Sequence, residues 1–376
     1  MIQEYIENIT VSGLKNLVSK YSANKIFLVT GKKSYVTSGA QKFIETSLKG
    51  VDFVRFFEFE QNPKYEDSLI GVELYQQTSC DMILAIGGGS VIDMAKLINV
   101  FSSNTHLKGL DIINNTKLIT NKGVPLIAIP TTAGTGSEAT HFAVVYHDKK
   151  KYSLAHDNVL PDVACLNADF SFSQSKYLTA CAGLDAFSQA VESYWSVGAN
   201  DISKGFAKES IELLIQNLKK CVTQPDKESR KAIMKASYLA GKAINISKTT
   251  GAHAVSYAFT TYFSIPHGHA VFLTLPEFFE YNNDVTDLDL NDSRGLSYVK
   301  QNMKELCELF RVDIGIEAKL FLRKFAKELG IELSFEKLKI HDYENIIISN
   351  VNLERLGNNP RKISQEELRN LLKRKN

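Results

Sequence analysis

Four short runs of β-branched, aromatic and other apolar residues punctuate the first 130 positions: Ile26-Phe27-Leu28-Val29, Phe53-Val54-Arg55-Phe56-Phe57, Met82-Ile83-Leu84-Ala85-Ile86 and Leu126-Ile127-Ala128-Ile129. Longer stretches between them carry apolar residues at helical spacing. Strands that are apolar at consecutive positions bury both faces, and strands alternating with helices wind into a mostly parallel sheet covered on both sides. Two further runs, Phe142 to Tyr146 and Lys151 to Leu154, flank the polar turn His147-Asp148-Lys149-Lys150 and predict a hairpin at the edge of this first domain. Beyond Asp169 the texture becomes helical, as in Leu184 to Trp195, Lys208 to Lys220, Ser229 to Ile246 and Ile316 to Leu329. The expectation is an α/β domain with a mostly parallel sheet over residues 1–170, and an all-helical domain over 171–376. A chain of 376 residues exceeds what one hydrophobic core organises, and a cleft between two such domains is a common ligand site.

With 44 basic and 42 acidic residues, a net charge of +2 gives no electrostatic case for a nucleic-acid partner. The basic end, Lys373-Arg374-Lys375, reads as a solvated helix terminus. Five scattered cysteines, none in a CxxC pair, argue against a disulfide framework or a thiolate metal site and fit a reducing cytoplasm. The start, Met1-Ile2-Gln3-Glu4-Tyr5-Ile6-Glu7, is acidic where a signal peptide is basic, and no run is long and apolar enough to span a bilayer. A soluble, unprocessed cytoplasmic protein is expected, with helical faces of the kind that support a homodimer.

Gly87-Gly88-Gly89-Ser90 follows the third apolar run and precedes helical spacing. Glycines let the backbone turn tightly there, and unpaired amides at the helix start then face a phosphate. The same glycines also suit a tight turn with no ligand. No Lys-Ser/Thr follows, which argues against a P-loop NTPase. A second loop, Pro130 to Glu138, is dense in hydroxyls and small residues after the fourth run, and two such loops can enclose one extended nucleotide.

In the helical half, Asp185 and Gln189 are four apart and share a helix face. His253 and His267 are fourteen apart, which on one unbroken helix means about four turns, roughly 20 Å. Ser264-Ile265-Pro266-His267-Gly268 breaks that helix and lets His267 return towards His253. One carboxylate and two imidazoles suit a divalent ion with an open coordination position, Fe²⁺ or Zn²⁺. Taken singly, an Asp as a helix cap and a His in a surface turn are equally ordinary readings.

Four stretches together resemble the iron-containing (group III) alcohol dehydrogenase family, in order and spacing, over nearly the whole chain. They are Gly87-Gly88-Gly89-Ser90 with Asp93, Ala95 and Lys96; Pro130-Thr131-Thr132 with Gly134 to Glu138; Gly183-Leu184-Asp185-Ala186; and Pro266-His267-Gly268. The resemblance implies NAD(P) in the cleft and a metal at its base. It assigns the pyrophosphate to Gly87, Gly88, Gly89 and Ser90, the nicotinamide end to Asp93, and the cofactor lining to Thr131, Thr132 and Ser137. Lys151 falls where the family commonly has a lysine near the nicotinamide ribose, and Asp185, His253 and His267 would bind the metal.

The chain departs from the family pattern twice. Gln189 and Tyr257 stand where many members have histidines, so either the glutamine amide coordinates or a water takes its place. Some polyol-oxidising relatives manage with one aspartate and two histidines, and both Fe²⁺ and Zn²⁺ remain open. Where NAD-preferring relatives place an acidic residue after the first strand, this chain has Gly31 followed by Lys32 and Lys33, which favours NADP(H) over NAD(H). Tyr257, His269 and Lys151 are candidates for proton transfer or substrate contact, and His141 joins them for an anionic substrate. The wording Ala139 to Val145, Leu184 to Trp195 and Ile265 to His269 resembles the branch that reduces phosphonoacetaldehyde to 2-hydroxyethylphosphonate. Three alternatives stay open: a general short-chain alcohol or lactaldehyde dehydrogenase, a lyase of the dehydroquinate synthase type, and a nucleotide-binding protein without catalysis. The dehydrogenase-like continuation Asp93-Met94-Ala95-Lys96 weighs against the lyase.

Overall fold

The four apolar runs become adjacent parallel strands because each presents side chains to both faces of one sheet. In the computed structural model, which describes residues 3–148 and 150–373, the strands are β1 (Glu4–Ile6), β2 (Lys25–Thr30), β3 (Asp52–Phe56), β4 (Met82–Gly87), β5 (Leu126–Pro130), β6 (Phe142–His147), β7 (Lys150–Ala155) and β8 (Val163–Cys165). Six of them form a parallel sheet in the order β1-β8-β5-β4-β2-β3. Ile26, Leu28, Met82, Leu84 and Ile86 face one apolar layer, and Phe27, Val29, Ile83 and Ala85 face the other. Lys149 of the expected hairpin turn, Met1 and Ile2 of the acidic start, and Arg374 and Lys375 of the basic end lie outside the described residues.

The hairpin forms, with β6 and β7 antiparallel from Phe142 opposite Ala155 to His147 opposite Lys150. It makes its own two-stranded sheet rather than extending the main one. Ala143, Val145 and Leu154 face Leu97, Val100 and Phe101 of the Gly89–Ser103 helix, so the hairpin covers a helix.

A buried lysine fastens this arrangement. The Lys96 ammonium, in the middle of the same helix, donates to the backbone oxygens of Ser137 (2.7 Å), Thr140 (2.9 Å) and Phe142 (2.7 Å). Burial pushes its pKa down to about 8. Burial also pushes the carboxyl of Glu138 up to about 7, against the pull of Lys96, and its Oε1 has no hydrogen-bond partner among the described residues.

The chain divides by internal contacts into Met1–Gln174 and Ser175–Asn376. The second unit is helical among its described residues apart from one isolated bridge. Its central helix, Lys176–Trp195, starts two turns before the expected Leu184, because Ser175 caps it by accepting from the Leu178 amide. The helices Asp201–Thr223 and Lys227–Ser247 begin with reciprocal caps, Asn200 with Ser203 and Asp226 with Ser229. The Gly251–Phe263 helix ends where Ser264 turns left-handed at φ 56°. Pro266 then opens the short His267–Phe272 helix, as the break in the sequence predicts. Five cysteines are free and buried, and no described helix is long and apolar enough to cross a membrane.

Glu138 gives the first unit a signed pH dependence. Its folded pKa of about 7 lies above the ordinary 4.5, so the neutral acid contributes stability that is complete below pH 4.5 and lost as pH rises through 7. Glu138→Gln should therefore melt increasingly above the wild type from pH 5 to pH 8, by roughly 2–4 °C per kcal/mol of relief. A melting-temperature difference that does not change with pH would contradict this.

Candidate metal centre and nucleotide loops

In the first unit, the glycine loop and the hydroxyl-rich loop leave the carboxyl ends of neighbouring strands, with Gly87 of β4 in register with Pro130 of β5. Thr131 donates its amide to the Gly87 oxygen at 2.9 Å. A β-carbon on Gly89 would stand 2.7 Å from the Thr135 hydroxyl, so the two loops approach to a distance only glycine permits. Gly88 caps the Gly89–Ser103 helix with an extended backbone and no side-chain cap. The first amides of that helix are therefore offered as donors beside Thr132, the arrangement that suits a phosphate.

Not every residue expected to line the cofactor faces outward. Asp93 accepts the Ser137 hydroxyl at 2.5 Å and the Val144 amide at 3.2 Å, and Ser137 also accepts from Lys96. Asp93, Ser137 and Thr131 are buried, so the polar atoms of the first two hold the second loop in shape. Ser90 accepts the Asn62 amide at 3.2 Å. Lys151 lies on β7 opposite Tyr146, half-buried, and its charge acts on Asp93. His141 faces Asp157 at 3.6 Å. Lys32 is exposed after Gly31, whose oxygen accepts from the Arg55 guanidinium at 3.2 Å. Arg55 also donates to the Thr30 hydroxyl at 2.8 Å and is stacked between the rings of Tyr35 and Phe57.

In the second unit, Asp185, His253 and His267 each bring a ligand atom to within 4.8 Å of the others. Asp185 is not the helix-start residue that an isolated aspartate would suggest; it lies in the middle of Lys176–Trp195, buried. The His267–Phe272 helix crosses it closely, since a β-carbon on Gly268 would sit 1.9 Å from the Cys181 oxygen and 2.8 Å from the Asp185 β-carbon. The glycine of Pro266-His267-Gly268 thus lets the adjacent imidazole reach the carboxylate, with Nε2 of His267 3.9 Å from Asp185 Oδ1. Nε2 of His253 is 3.4 Å from the same oxygen. Gln189 lies one turn after Asp185, buried on the same helix.

Behind His253 stands Glu192, a residue the sequence reading missed. Its carboxylate has no exposed surface, and Nδ1 of His253 donates to its Oε2. Its Oε1 accepts from the Thr250 amide (3.1 Å), the Thr250 hydroxyl (2.9 Å) and the His253 amide (3.2 Å). Trp195 donates to Thr250 in turn at 2.8 Å. The available signal was spacing, because Glu192 follows Asp185 by seven residues, two turns on one face.

The donor set fits a divalent cation. Nε2 of His253 is buried with no hydrogen-bond partner among the described residues, as a nitrogen reserved for a ligand would be. Burial alone would lower the His253 pKa, but Glu192 and Asp185 outweigh it and hold the imidazole at about 9. The same negative surroundings favour a cation at this site, and an ion bound to Nε2 would displace a proton.

Of the proposed proton-transfer residues, Tyr257 is at the centre, its ring stacked on His267 at 5.9 Å and 19°. Burial raises its phenol pKa, against the guanidinium of Arg355. His269 is neither at the surface nor open to a substrate through its ring nitrogens. It is buried, with Nε2 2.6 Å from the Glu332 backbone oxygen and Nδ1 3.0 Å from the Tyr177 hydroxyl.

Comparison with known proteins identifies the family. Residues 4–168 match the model of the iron-containing alcohol dehydrogenases, and residues 179–376 match the C-terminal model of the Fe-containing alcohol dehydrogenase family. The NADPH-dependent butanol dehydrogenase of Clostridium saccharobutylicum is 30% identical, over 95% of this chain and 92% of its own. The phosphonoacetaldehyde reductase of Streptomyces viridochromogenes is also 30% identical, over 78% of this chain and 75% of its own. The crystal structure of sulfoacetaldehyde reductase from Bifidobacterium kashiwanohense with NAD⁺ superposes with a TM-score of 0.86 at 27% identity, covering 100% of this chain and 99% of that one. The chain belongs to the iron-containing alcohol dehydrogenase family and is an oxidoreductase that interconverts aldehydes and alcohols.

Proposed function

We propose that this enzyme reduces phosphonoacetaldehyde to 2-hydroxyethylphosphonate with NADPH, using an ion held by Asp185, His253 and His267. The observation that carries the chemistry is the convergence of these three residues in front of a fully buried Glu192. A bound Fe²⁺ or Zn²⁺ supplies Lewis-acid polarisation of a carbonyl oxygen. Glu192 accepts the Nδ1 proton of His253, which fixes the tautomer and turns Nε2 towards the ion. Gln189 offers an amide oxygen in place of an imidazole nitrogen, a weaker neutral ligand that leaves the one negative charge on Asp185 and leaves iron and zinc in competition. Tyr257, stacked on His267, is the proton-transfer candidate we favour, because both ring nitrogens of His269 already have protein partners.

Phosphate binding falls to Gly87 through Ser90 and to Thr132, while Asp93, Thr131 and Ser137 act mainly by shaping the second loop. Lys151 is retained as the ribose-side cation. Preference for NADPH is supported by Gly31, Lys32 and Lys33, where no carboxylate opposes a 2′-phosphate, and by the Arg55 guanidinium fixed against Gly31. The phosphonate substrate is supported by the similarity to the Streptomyces viridochromogenes enzyme. The butanol dehydrogenase relative supports the second reading, a general short-chain alcohol dehydrogenase.

Initial rates with NADPH and NADH on phosphonoacetaldehyde, butyraldehyde and lactaldehyde separate the two readings. A kcat/KM on phosphonoacetaldehyde at least tenfold above the neutral aldehydes, and higher with NADPH, is expected; comparable values would establish the general dehydrogenase, and equal or better kinetics with NADH would remove the NADPH preference. Glu192→Gln keeps the shape but weakens the acceptor behind His253, so metal affinity measured by chelator competition should fall about 10–100-fold. Unaltered affinity would refute the role given to Glu192.

A further inference from the structure

Tyr257 follows His253 by one turn on the Gly251–Phe263 helix, and its ring lies nearly parallel to the His267 imidazole. Burial raises the pKa of its hydroxyl, and the Arg355 guanidinium opposes this by charge and hydrogen bonding, which puts the arginine next to the ring that stacks on His267. Arg355 is only 8% exposed and is carried by the short Leu353–Gly357 helix, nearly ninety residues beyond His267.

That helix is fixed rather than draped. Asn352 donates its amide to the Ala254 oxygen at 3.1 Å and caps the Arg355 amide at 2.9 Å. Asn358 donates to the oxygens of Ser247 (2.8 Å) and Thr249 (3.0 Å), next to the segment that binds Glu192. A guanidinium is planar, permanently charged and presents five donors, and the phenol engages one side of it. Its fork matches a tetrahedral oxyanion better than any neutral group.

We propose that Arg355, anchored by Tyr257, is a specificity-determining residue that binds the anionic head, phosphonate or sulfonate, of a two-carbon aldehyde whose carbonyl is presented to the Asp185–His253–His267 site. This rests on the oxidoreductase reading of the metal site and deepens its substrate class. A neutral aldehyde has no group for Arg355 to bind, so the arginine separates substrates by charge.

The test uses intact, metal-loaded enzyme with phosphonoacetaldehyde, sulfoacetaldehyde and propionaldehyde, and methylphosphonate as an inhibitor of propionaldehyde reduction. In Arg355→Met, the KM for the anionic aldehydes and the inhibition constant of methylphosphonate should rise at least twentyfold more than the KM for propionaldehyde. Arg355→Lys should recover part of that difference, and it also serves as the readout if the methionine variant does not fold. Equal KM changes for all three aldehydes, with methylphosphonate inhibition unmoved, would overturn the proposal and leave Arg355 as a packing residue. If the wild type does not prefer phosphonoacetaldehyde, the phosphonate reading fails separately: the Arg355 proposal still stands if methylphosphonate inhibition depends on Arg355 and falls if it does not. The wild-type ratio of phosphonoacetaldehyde to sulfoacetaldehyde kcat/KM identifies which anion the site takes.

Discussion

A carboxylate with no exposed surface is expensive, and Glu192 is tolerable only because four donors converge on it: two from Thr250, and the amide and Nδ1 of His253. The helical unit is organised to supply them. The central helix brings Glu192 inward on the face that carries Asp185, and the start of the Gly251–Phe263 helix brings Thr250 and His253 against it. Trp195 closes behind Thr250. With Nδ1 committed, the remaining nitrogen of His253 points at Asp185, and the crossing that Gly268 permits adds His267. One buried interaction therefore sets the direction of the His253 imidazole and its spacing from the other two candidate metal ligands.

The first unit solves a different problem, holding two loops close together at the carboxyl edge of its sheet. Glycine removes the steric obstacle and Lys96 supplies the cohesion, tying the second loop and the start of the hairpin to the helix that the first loop opens. Asp93 and Ser137 complete that fastening. Polar residues at the carboxyl edge of a sheet can act on loop backbone instead of facing outward, as Asp93 does on the Val144 amide.

Much of this was legible in the sequence. The four central strands and the hairpin followed from apolar runs, and the Asp185, His253 and His267 set from motif order together with the Pro266 break. The strands β1 and β8 were not, because three residues each are too few to show a period, and Glu4-Tyr5-Ile6 is also too polar to mark burial. Glu192 escaped because an acidic residue in a helix reads as solvated, and only its seven-residue spacing from Asp185 hints otherwise. Arg355 had no local signal, since its meaning lies in a contact with Tyr257 nearly a hundred residues away. His269 shows the opposite failure: a histidine beside a ligand motif looks chemical, yet its ring nitrogens are engaged by Tyr177 and Glu332.

The central claim is that Asp185, His253 and His267 hold the ion that makes this an aldehyde–alcohol oxidoreductase. X-ray absorption at the iron and zinc edges, on protein purified without added metal, tests it most directly. The expected spectrum shows a single ion per chain bound by two imidazoles with oxygen neighbours and no sulfur. A sulfur-containing shell drawn from a residue such as Cys181, or full activity in protein that carries neither metal, would contradict the account.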